Sequence, residues 1–322
     1  MADFSRRRFL RAASVVSGGA LCGVLPGLPR AQTEPAFDFD ISLAQWSLNK
    51  AFFDRSLSPL DFPAVARTSF DIGAVEYVNQ FFMDKARDKK FLQELKSRAS
   101  DHNVKSLLIM VDGEGDLSTS DEARRRQSVE NHYKWVEAAH QLGCHSIRVN
   151  LHGVGSAEAW HKASVNSLLE LAEFSKPMDI KILVENHGGY SSHGAKLAAV
   201  LQEANSPYCG SMPDFGNFCY QRASGDLWDS PCVKQYDIYQ GVADLMPYAG
   251  AISAKTFRFD EQGNEPDIDY RRIFELVKAS HYSGYVGIEY EGHELPADEG
   301  IRATKRLLEK VRSELSAQDS AV

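Results

Sequence analysis

The chain repeats one pattern eight times. A short run of apolar and β-branched residues gives way to a longer stretch with helical periodicity, and then the pattern starts again. The apolar runs begin near residues 41, 73, 105, 145, 181, 208, 251 and 285. Short apolar runs lying between helices read as parallel strands buried on both faces. Eight strand–helix units predict an α/β fold of the (β/α)8 TIM-barrel type, which commonly takes about 250 residues. The 322 residues accommodate it as one domain over 37–318. A doubly wound sheet is the rival, but no glycine-rich phosphate fingerprint follows the first strand.

Local signals fit the same units. Ser58 and Pro59 supply an N-cap and a first-turn proline for a helix over 59–69. Gly143 closes a long helix over 120–142. Further helices are expected over 85–102, 157–176, 192–204, 236–246, 270–280 and 297–315, and a long loop rich in aromatic residues and cysteines follows the sixth strand. The five cysteines (Cys22, Cys144, Cys209, Cys219, Cys232) form no CxxC motif, and their spacing predicts no pairing.

The first residues are read as an address rather than as fold. Ser5-Arg6-Arg7-Arg8-Phe9-Leu10-Arg11 is a twin-arginine export motif, followed by a mildly apolar run over 12–25. That run is too short and too rich in Gly and Ser for a stable membrane span. Residues 1–31 are therefore expected to be a signal with cleavage near Ala31, and the barrel is expected in the periplasm. This route carries folded proteins, so a cofactor or metal could be loaded in the cytoplasm first. The formal net charge is -8 without a basic stripe, which argues against nucleic acid as a partner. A homo-oligomer is compatible with the sequence.

In a barrel, strand ends share one mouth, and ligands bind there. The polar residues at these ends are Trp46 with Gln45, Glu76, His152, Glu185 with His187, Asp214 with Asn217, Lys255, and Glu289 with Glu291. Three of them, Glu185, Asp214 and Glu289, would crowd carboxylates into a small volume, where each raises the pKa of the others unless a cation sits among them. A divalent metal held by these three is one solution, and an oxygen-rich site suits Mn2+, Mg2+ or Co2+. The other is a hydrogen-bonded network in which water and Lys255 supply the positive charge. Trp46, Phe215 and Phe218 are candidates to stack on a sugar ring, or else they pack the rim. His102, His132, His140, His145, His161 and His281 fall on helices or near strand starts and read as structural or exposed.

Val184-Glu185-Asn186, Asp214-Phe215-Gly216-Asn217 and Gly287-Ile288-Glu289-Tyr290 resemble the motifs of the sugar phosphate isomerase/epimerase-like (xylose isomerase-like) TIM barrels. The resemblance runs from about Ile41 to the last helix. It implies a metal held by Glu185, Asp214, a seventh-strand histidine and Glu289, with the two glutamates carrying protons to and from a carbon beside a carbonyl. This chain departs from that pattern. Ser253 stands where the histidine is usual, and Asn217 replaces a second histidine. His187 is a candidate replacement ligand.

The expected activity is a metal-dependent sugar isomerase or epimerase. In it Glu185 and Glu289 transfer protons and Lys255 steadies the oxyanion, while Trp46, Glu76, His152, His187 and Asn217 contact a sugar or glycoside. Two alternatives remain open: a lyase on oxidised glycosides using the same acids, and a non-catalytic sugar-binding or accessory barrel.

Overall fold

In the computed structural model, which describes residues 37–319, the eight expected strands form one parallel sheet. The proposed twin-arginine leader lies outside the described residues. The barrel strands are β1 (Asp40–Ala44), β2 (Ala74–Val78), β3 (Lys105–Met110), β4 (Ser146–Val149), β5 (Lys181–Glu185) and β6 (Cys209–Met212). A two-stranded hairpin, β7 (Cys219–Arg222) and β8 (Cys232–Gln235), is inserted before β9 (Ile252–Thr256) and β10 (Tyr285–Tyr290). The sheet runs β6-β5-β4-β3-β2-β1-β10-β9. It closes between β6 and β9 through Gly250 N to Ser211 O (2.9 Å), Ser253 N to Pro213 O (2.9 Å) and Phe215 N to Ser253 O (3.2 Å).

The helices are α1 (Asn49–Phe53), α2 (Phe62–Phe70), α3 (Lys89–Asp101), α4 (Glu122–Leu142), α5 (Ala157–Ser175), α6 (Gly194–Ala204), α7 (Ile238–Leu245), α8 (Tyr270–Ala279) and α9 (Ala297–Asp319). Side chains that accept from first-turn amides fix several starts. Asp88, Asp121, Ser156, Asp237 and Asp269 cap α3, α4, α5, α7 and α8. The helix expected from 85 therefore begins at Lys89, because the Asp88 carboxylate takes the amides of Lys90 and Phe91. Ser58 accepts from Leu60 N as expected, although its first turn is 3-10. No helix among the described residues is long and apolar enough to cross a membrane.

Strand alternation divides the apolar residues into two cores. The larger lies between the sheet and the helices and includes Phe62, Tyr77, Trp135, Trp160 and Phe274. Phe215 and Phe218 belong to it, wholly buried, with Phe215 edge-on to Tyr270 and Phe274. The expectation that these two stack on a sugar is corrected: Phe215, one residue past the inward-facing Asp214, turns outward against Tyr270 and Phe274, and the Phe218 ring packs against Gly241 of α7. The smaller core fills the barrel interior with Ala44, Val78, Leu108, Met110, Leu183, Met212 and Ala251. Two residues further along β5, β6 and β9, the same inward parity carries Glu185, Asp214 and Ser253.

The long segment after β6 is more ordered than a loop. Its two strands pair antiparallel, and a Cys219–Cys232 disulfide joins them. Cysteine spacing does not reveal this pairing, because what brings the two residues together is a hairpin of short, polar strands. Cys144 and Cys209 are free.

Candidate active site

Glu185, Asp214 and Glu289 each place a carboxylate oxygen within 4.8 Å of the others. All three are buried, at 1%, 0% and 4% exposure. Burial pushes Asp214 up to about 6, with Lys255 opposing and Glu289 adding to the rise. Burial also holds Glu185 well above the ordinary range; Arg148 opposes this, and the charges of Glu289 and Asp214 reinforce it.

Lys255 comes inward from β9 and is buried among acids. Its Nζ lies 2.8 Å from Glu289 Oε1, 3.1 Å from Glu291 Oε2 and 3.6 Å from Asp214 Oδ2. Burial alone would lower its pKa, but these carboxylates hold it well above its ordinary value. Two residues earlier on the same face, Ser253 Oγ lies 2.6 Å from Asp214 Oδ2 and 2.8 Å from Glu289 Oε2. A hydroxyl has one proton and can donate to only one acid at a time. The second short contact requires a proton on the other acid or a cation between them.

Asn186 explains why an amide follows Glu185. Its side chain donates to Asp214 O (2.8 Å) and Asn217 O (3.2 Å) and accepts from Asp214 N (2.7 Å). It thereby ties the end of β5 to the turn that carries Asp214. From that turn Asn217 Nδ2 donates to Glu185 Oε1 at 3.0 Å. Glu185 Oε2 lies 2.8 Å from Arg148 Nε, but the N–H does not point at it, and both atoms are left without a hydrogen-bond partner.

Arg148 anchors a second wall. Its Nη1 donates to Asp112 Oδ1 at 2.7 Å, and Asn150 Nδ2 donates to the same oxygen at 2.6 Å. Burial would raise Asp112, yet the Arg148 charge, His187 and these hydrogen bonds take it well below the carboxylate range. His152 Nε2 contacts His187 O at 2.7 Å, and the two rings lie 5.7 Å apart. Burial lowers the pKa of both imidazoles, which favours their neutral forms. His187 Nδ1 is buried without a partner.

The remaining expected residues are dispersed. Trp46 donates its Nε1 to Glu291 and stacks on Phe81 at 6.0 Å. Glu76 sits a layer below the triad, accepting from Ser42 Oγ at 2.7 Å. A Cβ at Gly287 would lie 2.5 Å from Glu76 Oε1, so glycine there makes room for the buried acid. Burial pushes Glu76 up to about 8, against the Ser42 hydrogen bond. Reading strand ends alone misses Arg148 and Asp112. The available signal was an arginine at inward parity within a buried strand, Ser146-Ile-Arg148-Val-Asn150.

The donor set fits a hard divalent cation. Glu185, Asp214 and Glu289 converge, Glu185 Oε2 lacks a hydrogen-bond donor, and Ser253 contributes a further oxygen beside two of the acids. Lys255 neutralises part of the cluster from one side.

Comparisons with known proteins agree with this architecture. The fold is similar to that of L-ribulose 3-epimerase, with a TM-score of 0.67, 14% identity, and coverage of 88% of this chain and 98% of that one. The apo 3-keto-D-glucoside 4-epimerase from E. coli gives 0.64 and 15%, covering 86% and 100%. A magnesium complex of a xylose isomerase-like TIM barrel protein from Mycobacterium smegmatis gives 0.60 and 13%, covering 87% and 97%. At these identities the likeness is one of fold. A C-glycoside deglycosidase alpha subunit from Arthrobacter globiformis is 42% identical over 50 residues, which is 16% of this chain and only 14% of that protein. Residues 63–311, well over half the chain, match the family model described as xylose isomerase-like TIM barrel, and the chain belongs to that family.

Proposed function

We propose that this protein is a divalent-metal-dependent sugar isomerase or epimerase that moves a proton at a carbon beside a carbonyl. The carrying observation is the buried cluster of Glu185, Asp214 and Glu289 with Lys255 set against it. A cation held by the three acids would supply Lewis acidity at the carbonyl oxygen. Glu185 removes the proton from carbon; the C–H electron pair forms the carbon–carbon double bond of an enediolate, and the carbonyl oxygen takes the negative charge. Lys255 donates a hydrogen bond to that oxygen. Glu289 returns a proton from the other side. Asn217 orients Glu185 for this transfer by donating to Oε1.

Incubation of an oxidised or free sugar with the protein and Mn2+ in D2O tests this. The expected result is deuterium at the carbon beside the carbonyl with no change in carbon skeleton. Absence of exchange across a panel of keto-sugars overturns the reading.

The deglycosidase-like segment favours a second reading in which the same proton abstraction starts elimination and releases an aglycone. Product analysis separates the two. The proposed site of action is the periplasm, reached by the twin-arginine route. The Cys219–Cys232 disulfide supports an oxidising compartment.

A further inference from the structure

A cavity of about 930 Å³ has both Trp46 and Trp228 in its lining. It sits near the top of the range for ligand sites and exceeds what one hexose ring needs. Glu291 joins it to the chemistry, since this cavity-lining carboxylate accepts from Trp46 Nε1 and lies 3.1 Å from Lys255 Nζ. The lining carries Lys50, Arg222 and Arg258 against Asp54, Glu291 and Glu294, a balance that suits a neutral ligand.

Trp228 is 43% exposed, and its position is built. The disulfide-closed hairpin carries it, and Arg222 grips the tip on either side of it, donating from Nε to Leu227 O and from Nη1 to Ser230 O, both at 2.8 Å. The Trp228 ring centroid is 4.4 Å from that of His187. Gly188, at φ +82°, lets the ring lie close; a Cβ there would be 3.2 Å from it. Phe53, Met83 and Val154 are also exposed, on segments that follow β1, β2 and β4. Exposed apolar side chains thus border the mouth where the chemistry lies.

We propose that Trp228 is the platform of a second-ring subsite, and that the protein takes a glycoside whose aglycone lays a flat, uncharged face on this indole. The inference rests on the sugar chemistry proposed above and names its substrate class. A stacked ring adds about tenfold in affinity.

Calorimetric titration of the native protein with phenyl and methyl β-glycosides of gluco, galacto and xylo configuration, and with cellobiose, tests it. The expected result is that one phenyl glycoside or cellobiose binds about tenfold tighter than its methyl counterpart. Trp228→Ala should bring the pair within about twofold, and Trp228→Phe should keep most of the gain. A gain confined to the phenyl compounds identifies an aromatic aglycone; a gain with cellobiose identifies a second sugar. Equal affinities in the native protein, no binding of any glycoside, or a gap that survives Trp228→Ala overturns the subsite. D2O exchange on the keto-oxidised forms of these glycosides, which carry the carbonyl that proton abstraction needs, reports separately on the chemistry: turnover without ring preference sinks only the subsite, and ring preference without turnover sinks only the reaction.

Discussion

Asp112 and Glu185 face the same guanidinium and reach opposite states. Asp112 receives directed hydrogen bonds from Arg148 and Asn150 on one oxygen and is held well below the carboxylate range. Glu185 has Arg148 beside it without a directed bond and shares its space with Asp214 and Glu289, and burial keeps it well above that range. Proximity to a cation does not by itself fix the charge of a buried acid. Satisfied oxygens and the absence of like charges do. One wall of the mouth is a finished structural ion pair, and the other is a group of acids with unmet needs, as a site for a cation and a proton requires.

The largest test of this contrast is kinetic. Glu185→Gln and Glu289→Gln are each expected to cut turnover by about 10²–10⁴-fold, measured at saturating metal on a confirmed substrate, while thermal unfolding stays cooperative. Full turnover in either removes that glutamate from the mechanism. Next comes stability. Arg148→Met leaves the half-buried Asp112 without its cation and is expected to cost about 3 kcal/mol in urea unfolding; a loss under 1 kcal/mol would show that the finished wall does not depend on the pair.

Below the triad, Glu76 gives a pH signature. Its folded pKa of about 8 exceeds its ordinary value near 4.5, so the folded state keeps a proton that the unfolded chain releases between those values. The stabilisation this gives is complete below about pH 4.5 and is lost as pH rises through 8, at up to about 1.4 kcal/mol per unit. Glu76→Gln should flatten that slope in metal-free protein, and an unchanged slope refutes the assignment. The smallest effect is metal stabilisation. At 100 times its dissociation constant, Mn2+ or Mg2+ is expected to stabilise the protein by about 2.7 kcal/mol. Asp214→Asn should abolish the gain and Asp112→Asn should keep it; the reverse order would exchange the roles of the two walls.

The barrel was legible because its eight strands are apolar runs, found within a few residues of their observed ends, and because caps such as Ser58 and Gly143 mark helix ends chemically. The inserted hairpin was not legible. Cys219-Tyr-Gln-Arg222 and Cys232-Val-Lys-Gln235 are short and largely polar, with β8 exposed throughout, so period-2 burial leaves no trace in them. At the mouth, the carboxylates stood out at strand ends, and the structure brings Glu185, Asp214 and Glu289 together. Arg148 was overlooked because it lies within a strand, where only inward parity marks it. Phe215 and Phe218 misled because proximity to Asp214 in sequence says nothing about which side of the sheet a ring takes.

The seam between β6 and β9 has a consequence for how this protein would fail. The flanking pairs β5–β6 and β9–β10 run along continuous ladders, whereas this junction rests on isolated bridges at Ser211–Ala249 and Asp214–Ser253. Asp214 and Ser253, which meet there, line the site proposed for a cation, so a bound ion would act as a clasp on a thinly joined hoop of the cask. Stripped of it, the protein should first show faster amide hydrogen exchange along this junction, with the opposite staves still protected.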